Sequence, residues 1–315
     1  MAAVSWAKAR PLDAAENGLV RWLSDTPDAP KVEGSIVAAI IAWVEVVAFL
    51  GETFLIMVLA IAVRSVLLFA ASFLVSRDAA TTTVIDVLFD AGFLLAWLLH
   101  RYSAWFHMSP RALCEAFGLL HWRPLSATTK YLVSYHIVGF AVVVGYQWLQ
   151  DDWFLSWDNY YDARGILQLP RVLEILVLSP IKEELVFRGL TLHLLLNRIP
   201  SNAVATGVSS VLFGCTHLMN LKHSSFSTAY VLLQTFLGIE IGLFYAVLFV
   251  RTSYNLRDTV MLHVVNNVLS SFLSTHTNFS DRPIFSVLLV HAIVIYFGLI
   301  MASVRAMQPP KVAQD

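Results

Sequence analysis

Two adjacent carboxylates, Glu183 and Glu184, stand with Lys182 and Arg188 inside an apolar stretch running from about Val172 to Leu196. A charge at the centre of a membrane helix costs roughly 2.5–3.5 kcal/mol on insertion scales, so each needs a partner or a wet cavity. Two further pairs occupy later apolar stretches: Phe213 with His217, and His263 with Asn267, each four residues apart and so on one helical face. Taken singly, each has a plainer reading as a charged helix end or a histidine satisfied at a membrane interface. Together, two acids, two histidines and an amide on three apolar stretches point to a shared polar cavity. The chemistry such a set supports is hydrolysis of a peptide bond by an activated water.

The spacing suggests a division of labour. Glu184 and Arg188 are four residues apart with the acid N-terminal to the base, the favourable order for a helical ion pair. Glu183 is rotated about 100° from Glu184 at ~3.6 residues per turn, so Arg188 can neutralise Glu184 and leave Glu183 free to bind water. Glu183 is then the candidate general base, with His217 holding or helping to deprotonate the water. His263 and Asn267 could donate hydrogen bonds to the oxygen that becomes negative in the tetrahedral intermediate. Glu183, His217 and His263 could instead hold Zn2+ and leave a position for water. The chain lacks His-Glu-x-x-His, and asparagine is a poor zinc ligand, which favours a metal-free route. No Gly-x-Ser-x-Gly elbow is present, and Ser209 in Gly207-Val208-Ser209 is followed by Ser210 where a serine-protease motif of rhomboid type needs glycine; Ser209 reads as helix packing.

The elements that must carry these residues are membrane helices. The 315 residues are 57% hydrophobic and 14% charged, with a mean hydropathy of +0.67, too apolar for a soluble domain. The expected fold is an all-α polytopic transmembrane bundle of about eight spans around a polar intramembrane cavity. It divides into a polar N-terminal tail at 1–33, N-terminal membrane helices and a connector at 34–126, a catalytic membrane core at 127–306 and a C-terminal tail at 307–315. The apolar tract 34–76, interrupted by Glu45, Glu52 and Arg64, is too long for one ordinary span of about 20 residues and reads as two helices. Residues 84–100 read as a short span, and regular spans follow at 127–149, 171–198, 202–219, 227–250, 258–274 and 283–306. Residues 1–33 do not read as a cleaved signal peptide. The excess of Lys and Arg in alternate loops puts the C-terminus on the cytoplasmic side. A net charge of −1 with scattered bases gives no nucleic-acid face. Cys114 and Cys215 are too few and too far apart for a disulfide framework. Ideal spans put His263 about five residues, or ~8 Å, from the cytoplasmic side and His217 near the opposite end of its span. Either the helices are staggered and kinked, as Pro180 allows, or one of these span limits is wrong.

Glu183-Glu184-x-x-x-Arg188, Phe213-x-x-x-His217 and His263-x-x-x-Asn267, in that order and on separate spans, resemble the three motifs of the CAAX protease and bacteriocin-processing family of intramembrane endopeptidases. That family includes the type 2 CAAX prenyl protease, which removes the last three residues of prenylated proteins. The resemblance covers about Leu120 to Ala306 and leaves Met1 to Leu119 unmatched. Arg251-Thr252 is also similar to an Arg-Thr-Gly turn of the prenyl protease, with Ser253 in place of the glycine. The resemblance implies that Glu183 and His217 act on the water and that His263 and Asn267 form the oxyanion site, without a metal. It implies Glu184, Arg188 and Phe213 as supports. It also implies a prenylated C-terminus as substrate, membrane lipid as surroundings, and a multi-pass location in the endoplasmic reticulum of a eukaryote or the plasma membrane of a bacterium. Two other readings stay open: a non-catalytic scaffold or immunity-type member of the same family, and a transporter using Glu240, Glu45 and Glu52.

Overall fold

The computed structural model describes residues 36–71, 73, 89, 95–105, 108–120, 124–150, 155–157, 160–161, 164–199, 201–222, 227–272 and 283–306. The expected tails at 1–33 and 307–315, and most of the expected span at 84–100, lie outside them. Among the described residues the chain is all-α, without strands. Its helices are α1 (Ile36–Ala71), α2 (Leu95–Trp105), α3 (Pro110–Ala116), α4 (Ala127–Gln150), α5 (169–198), α6 (Asn202–Thr216), α7 (Thr228–Arg251), α8 (Leu256–Ser270) and α9 (Pro283–Ala306).

Among the described residues five stretches are long and apolar enough to cross a membrane: Trp43–Ala71, Ala127–Gln150, Asn202–Leu221, Thr228–Arg251 and Ser286–Ser303. The expected spans at 171–198 and 258–274 do not qualify. The first is α5, which carries the charge cluster, and the second is the short α8. Large apolar side chains such as Val47 and Phe54 on α1 or Val294 and Phe297 on α9 face outward, as lipid-facing surfaces do.

The tract expected to form two helices is one, α1, of 36 residues. Glu45 and Glu52 do not mark a loop, because ion pairs with distant segments satisfy both. Glu45 meets Arg198 at 2.7 Å, and Glu52 pairs with Arg101. A carboxylate with such a partner can stay in a helix that would otherwise be interrupted.

α6 and α7 cross almost backbone to backbone. A Cβ on Gly214 would lie 2.7 Å from the Ile239 nitrogen and 2.8 Å from the Thr235 oxygen. Gly238 and Gly242, one turn apart on α7, complete the close approach, the small-x-x-x-small pattern of membrane helix pairs. The base of α8 is anchored as firmly. Asp258 is buried and accepts hydrogen bonds from the Ser126 N–H at 2.8 Å, the Thr129 hydroxyl at 2.5 Å and the Asn255 amide at 2.8 Å. Asn255 itself caps α8 by accepting from the Arg257 N–H. Ser253, which stands where the resembled turn has glycine, takes φ 55°, and Tyr254 takes φ 61°. Both are left-handed, the region that glycine enters most easily. At the same end of the bundle Leu256 N–H donates to the Phe117 carbonyl and Arg251 to the Ser303 hydroxyl. The segment before α4, the turn between α7 and α8 and the C-terminal part of α9 thus meet at one end of the bundle.

Candidate active site

The site is built on an irregular helix. α5 is α-helical at Leu169–Leu173, Ser179–Glu184 and His193–Arg198, and π-helical at Glu174–Leu178 and Leu185–Leu192. Pro180 has no N–H to give the preceding turn, and a π turn accommodates that loss without ending the helix. A π turn also shifts the backbone ladder, and side chains from other helices reach the carbonyls here. The Asn267 amide donates to the Ile175 carbonyl at 3.0 Å, and the Ser209 hydroxyl donates to the Phe187 carbonyl at 3.1 Å. Ser209 is thus a packing residue whose hydroxyl ties α6 to α5.

The short α-helical segment presents the two carboxylates to different surroundings. Glu184 has a side-chain exposure of 0% and Arg188 of 1%, and the Arg188 guanidinium donates to Glu184 Oε1 at 3.0 Å. Glu183 keeps 32% exposure. The Ser179 hydroxyl, one turn earlier, donates to Glu183 Oε1 at 2.6 Å. His263 comes from α8 to stand between the acids. Its Nδ1 is 2.8 Å from Glu184 Oε1, and its Nε2 is 3.6 Å from Glu183 Oε2. Lys182 turns away to Glu174 at 2.6 Å.

Aromatic rings enclose this ion pair. The Arg188 guanidinium lies 4.1 Å from the Phe213 ring centre and 5.3 Å from that of Tyr245, and also donates to the Gly242 carbonyl at 3.4 Å. Desolvated guanidinium–ring contacts of this type reach about 2 kcal/mol. The Phe213 ring is 5.6 Å from the His217 ring and 5.9 Å from the His263 ring. The two histidines therefore meet across one phenylalanine, although ideal spans put them at different depths. α8 begins two residues earlier than expected, and α6 gives way to a 3-10 turn at His217–Lys222. Gly238 makes room for the second imidazole, since a Cβ there would sit 2.8 Å from His217 Cδ2.

A cavity of about 590 Å³ opens beside these residues between α4, α6, α7, α8 and α9. His217, His263 and Asn267 line it, with Asn266 and Tyr245, while Glu183 is not on its wall but lies 3.6 Å from His263 Nε2. Among the described residues no Asp, Glu, Lys or Arg lines it. The transporter acids do not gather there: Glu45 and Glu52 are spent on α1 ion pairs, and Glu240 lies elsewhere on α7.

The hydrogen bonds constrain the chemistry. If the Nδ1–H of His263 is held by Glu184, Nε2 can donate only when the ring carries both protons. The Asn267 amide has two N–H groups, one of which the Ile175 carbonyl fixes. The zinc set Glu183, His217 and His263 does not close as a ligand group: among the described residues no three His, Cys, Asp or Glu side chains gather to hold a metal. Sequence reasoning missed Ser179, Tyr245, Gly238 and the Ile175 carbonyl. Ser179 had a signal, four residues before Glu183 on the same face, whereas Tyr245 lies in the apolar run 241–250 of α7 with nothing to single it out.

Residues 165–269, about a third of the chain, match the family described as type II CAAX prenyl endopeptidase Rce1-like. That segment holds every residue of the three polar pairs. No curated protein and no solved structure matches the chain.

Proposed function

From its place in the CAAX protease family, we propose that this chain is an intramembrane endopeptidase that removes the C-terminal tripeptide from prenylated CAAX proteins by a metal-free route. The observation that carries this reading is the buried Arg188–Glu184–His263 relay set against a second, partly open carboxylate, Glu183, beside an apolar cavity. Glu183 takes a proton from a water held with His217, and the water oxygen attacks the scissile carbonyl carbon. His263, steadied by Glu184, and Asn267, steadied by the Ile175 carbonyl, donate hydrogen bonds to the oxyanion. The C–N bond then breaks, Glu183 returns its proton to the leaving nitrogen, and the products are a shortened carboxylate and a free amine. Ser179, bonded to the other oxygen of Glu183, aims the base. The apolar walls suit a lipid-modified substrate entering from the bilayer.

The test is mass spectrometry of a farnesylated peptide ending in a CAAX sequence after incubation with the purified protein in bilayer nanodiscs. Release of an intact tripeptide, dependent on the lipid group, is the expected result. An unchanged peptide alongside folded protein overturns the reading.

A further inference from the structure

α4, packed on α8, and α9, packed on α7, also line the cavity, and they carry polar groups that the hydrolysis above does not use. His136 Nε2 is hydrogen-bonded to the Tyr296 hydroxyl at 2.6 Å, and Tyr135 Oη to His291 Nδ1 at 3.0 Å. Tyr135 and His136 both line the cavity, and Tyr296 packs edge-on against Phe244 beside Tyr245. Two imidazole–hydroxyl pairs thus join α4 and α9, with His136 partly buried, Tyr296 buried and His291 exposed, and polar residues within apolar helices of a membrane bundle mark candidate functional positions. Packing between α4 and α9 needs only apolar contact.

The partner has a definable chemistry. An extended peptide inside a membrane cavity brings N–H and C=O groups that water no longer satisfies, and each one left bare is costly. The catalytic wall supplies His217, His263 and Asn267 for the reacting carbonyl and water, not for the rest of the peptide. Imidazole and phenol can each donate and accept, so they match neutral amides. With no Asp, Glu, Lys or Arg lining this cavity among the described residues, the wall is poorly suited to an ion.

We infer that His136, oriented by Tyr296, binds a backbone amide of the substrate peptide in the cavity that His263 also lines and so sets how the chain lies past the catalytic row. This rests on the protease reading, and its test separates the two. Affinity is measured by fluorescence anisotropy for a dye-labelled farnesylated CAAX peptide and for analogues in which each amide after the cysteine is replaced in turn by an ester. The host is Glu183→Gln protein in nanodiscs, so that nothing is cleaved. One ester analogue is expected to bind roughly tenfold more weakly than the amide peptide. His136→Phe should weaken the amide peptide by a similar factor and abolish the difference between amide and ester. Tyr296→Phe, which keeps the imidazole and loses the hydroxyl that orients it, serves as the second variant if His136→Phe does not fold, with a loss of about threefold and a reduced ester penalty. Unchanged affinity in the folded variants, or an ester penalty that persists in them, overturns the inference. A purely structural role for His136 would weaken amide and ester peptides alike. Turnover by the wild type is scored separately, so a binding pattern without cleavage sinks the protease reading alone.

Discussion

Arg188 is almost completely enclosed, and its environment explains why a buried ion pair can persist there. Glu184 neutralises it, the Gly242 carbonyl accepts from it, and the rings of Phe213 and Tyr245 cover its faces. A buried pair stripped of one such support leaves a charge poorly compensated. Tyr245→Leu is therefore expected to lower both the melting temperature and kcat, while Tyr245→Phe, which keeps the ring, retains most of each; scanning fluorimetry and turnover of the two purified variants check this. Equal damage from both would put the hydroxyl, not the ring, in charge. Much of this residue-level arrangement was legible. The i, i+4 spacing of Glu184 and Arg188 and the separate face of Glu183 follow from helical geometry. The role of Tyr245 was not, because a lone tyrosine among apolar residues carries no periodic or charge signal, and its value comes from a helix over fifty residues away in sequence.

At the scale of elements, the positions of the histidines depend on how closely helices approach and on where α8 is tied down. Gly238→Ala puts a Cβ against His217 Cδ2 at 2.8 Å and against the Gly214 Cα at 3.1 Å. It is expected to displace His217 and depress kcat at least tenfold, read by turnover at saturating substrate, with the protein still folded by size-exclusion chromatography. Asp258→Ala removes the acceptor of three hydrogen bonds from Ser126, Thr129 and Asn255, and buried donors left bare cost about 1–3 kcal/mol each. A clear fall in melting temperature is expected, and an unchanged value would show that α8 is held elsewhere. Glycines one turn apart on α7 were a readable signal of close packing. The continuity of α1 was not readable, since Glu45 and Glu52 look like breaks until Arg198 and Arg101 supply the opposite charge from distant segments. The π turns of α5 are equally hidden, because Pro180 announces a disturbance without saying whether the helix kinks, ends or widens.

The whole molecule is an all-α membrane bundle in which the chemistry sits on the helices least suited to lipid. α5 and α8 carry the acids, His263 and Asn267 and fall outside the stretches apolar enough to span, while α1, α4 and α9 turn apolar side chains outward. Apolar patterning thus exposed the class of fold readily and placed both of these helices, at 171–198 and 258–274, but counted them as spans, which their polar composition does not support. For the complete enzyme, the poor fit of Glu183, His217 and His263 to a metal predicts that a strong zinc chelator leaves turnover within about twofold of the untreated rate; loss restored by added zinc would contradict it. The central claim is that Glu183 activates the water, and the most direct measurement is tripeptide release from a farnesylated CAAX peptide by wild type, Glu183→Gln and Glu240→Gln side by side in nanodiscs. The expected result is a fall in kcat of roughly 10²–10⁴-fold in Glu183→Gln, with Glu240→Gln close to wild type; full activity in Glu183→Gln, or equal loss in both variants, would contradict the account.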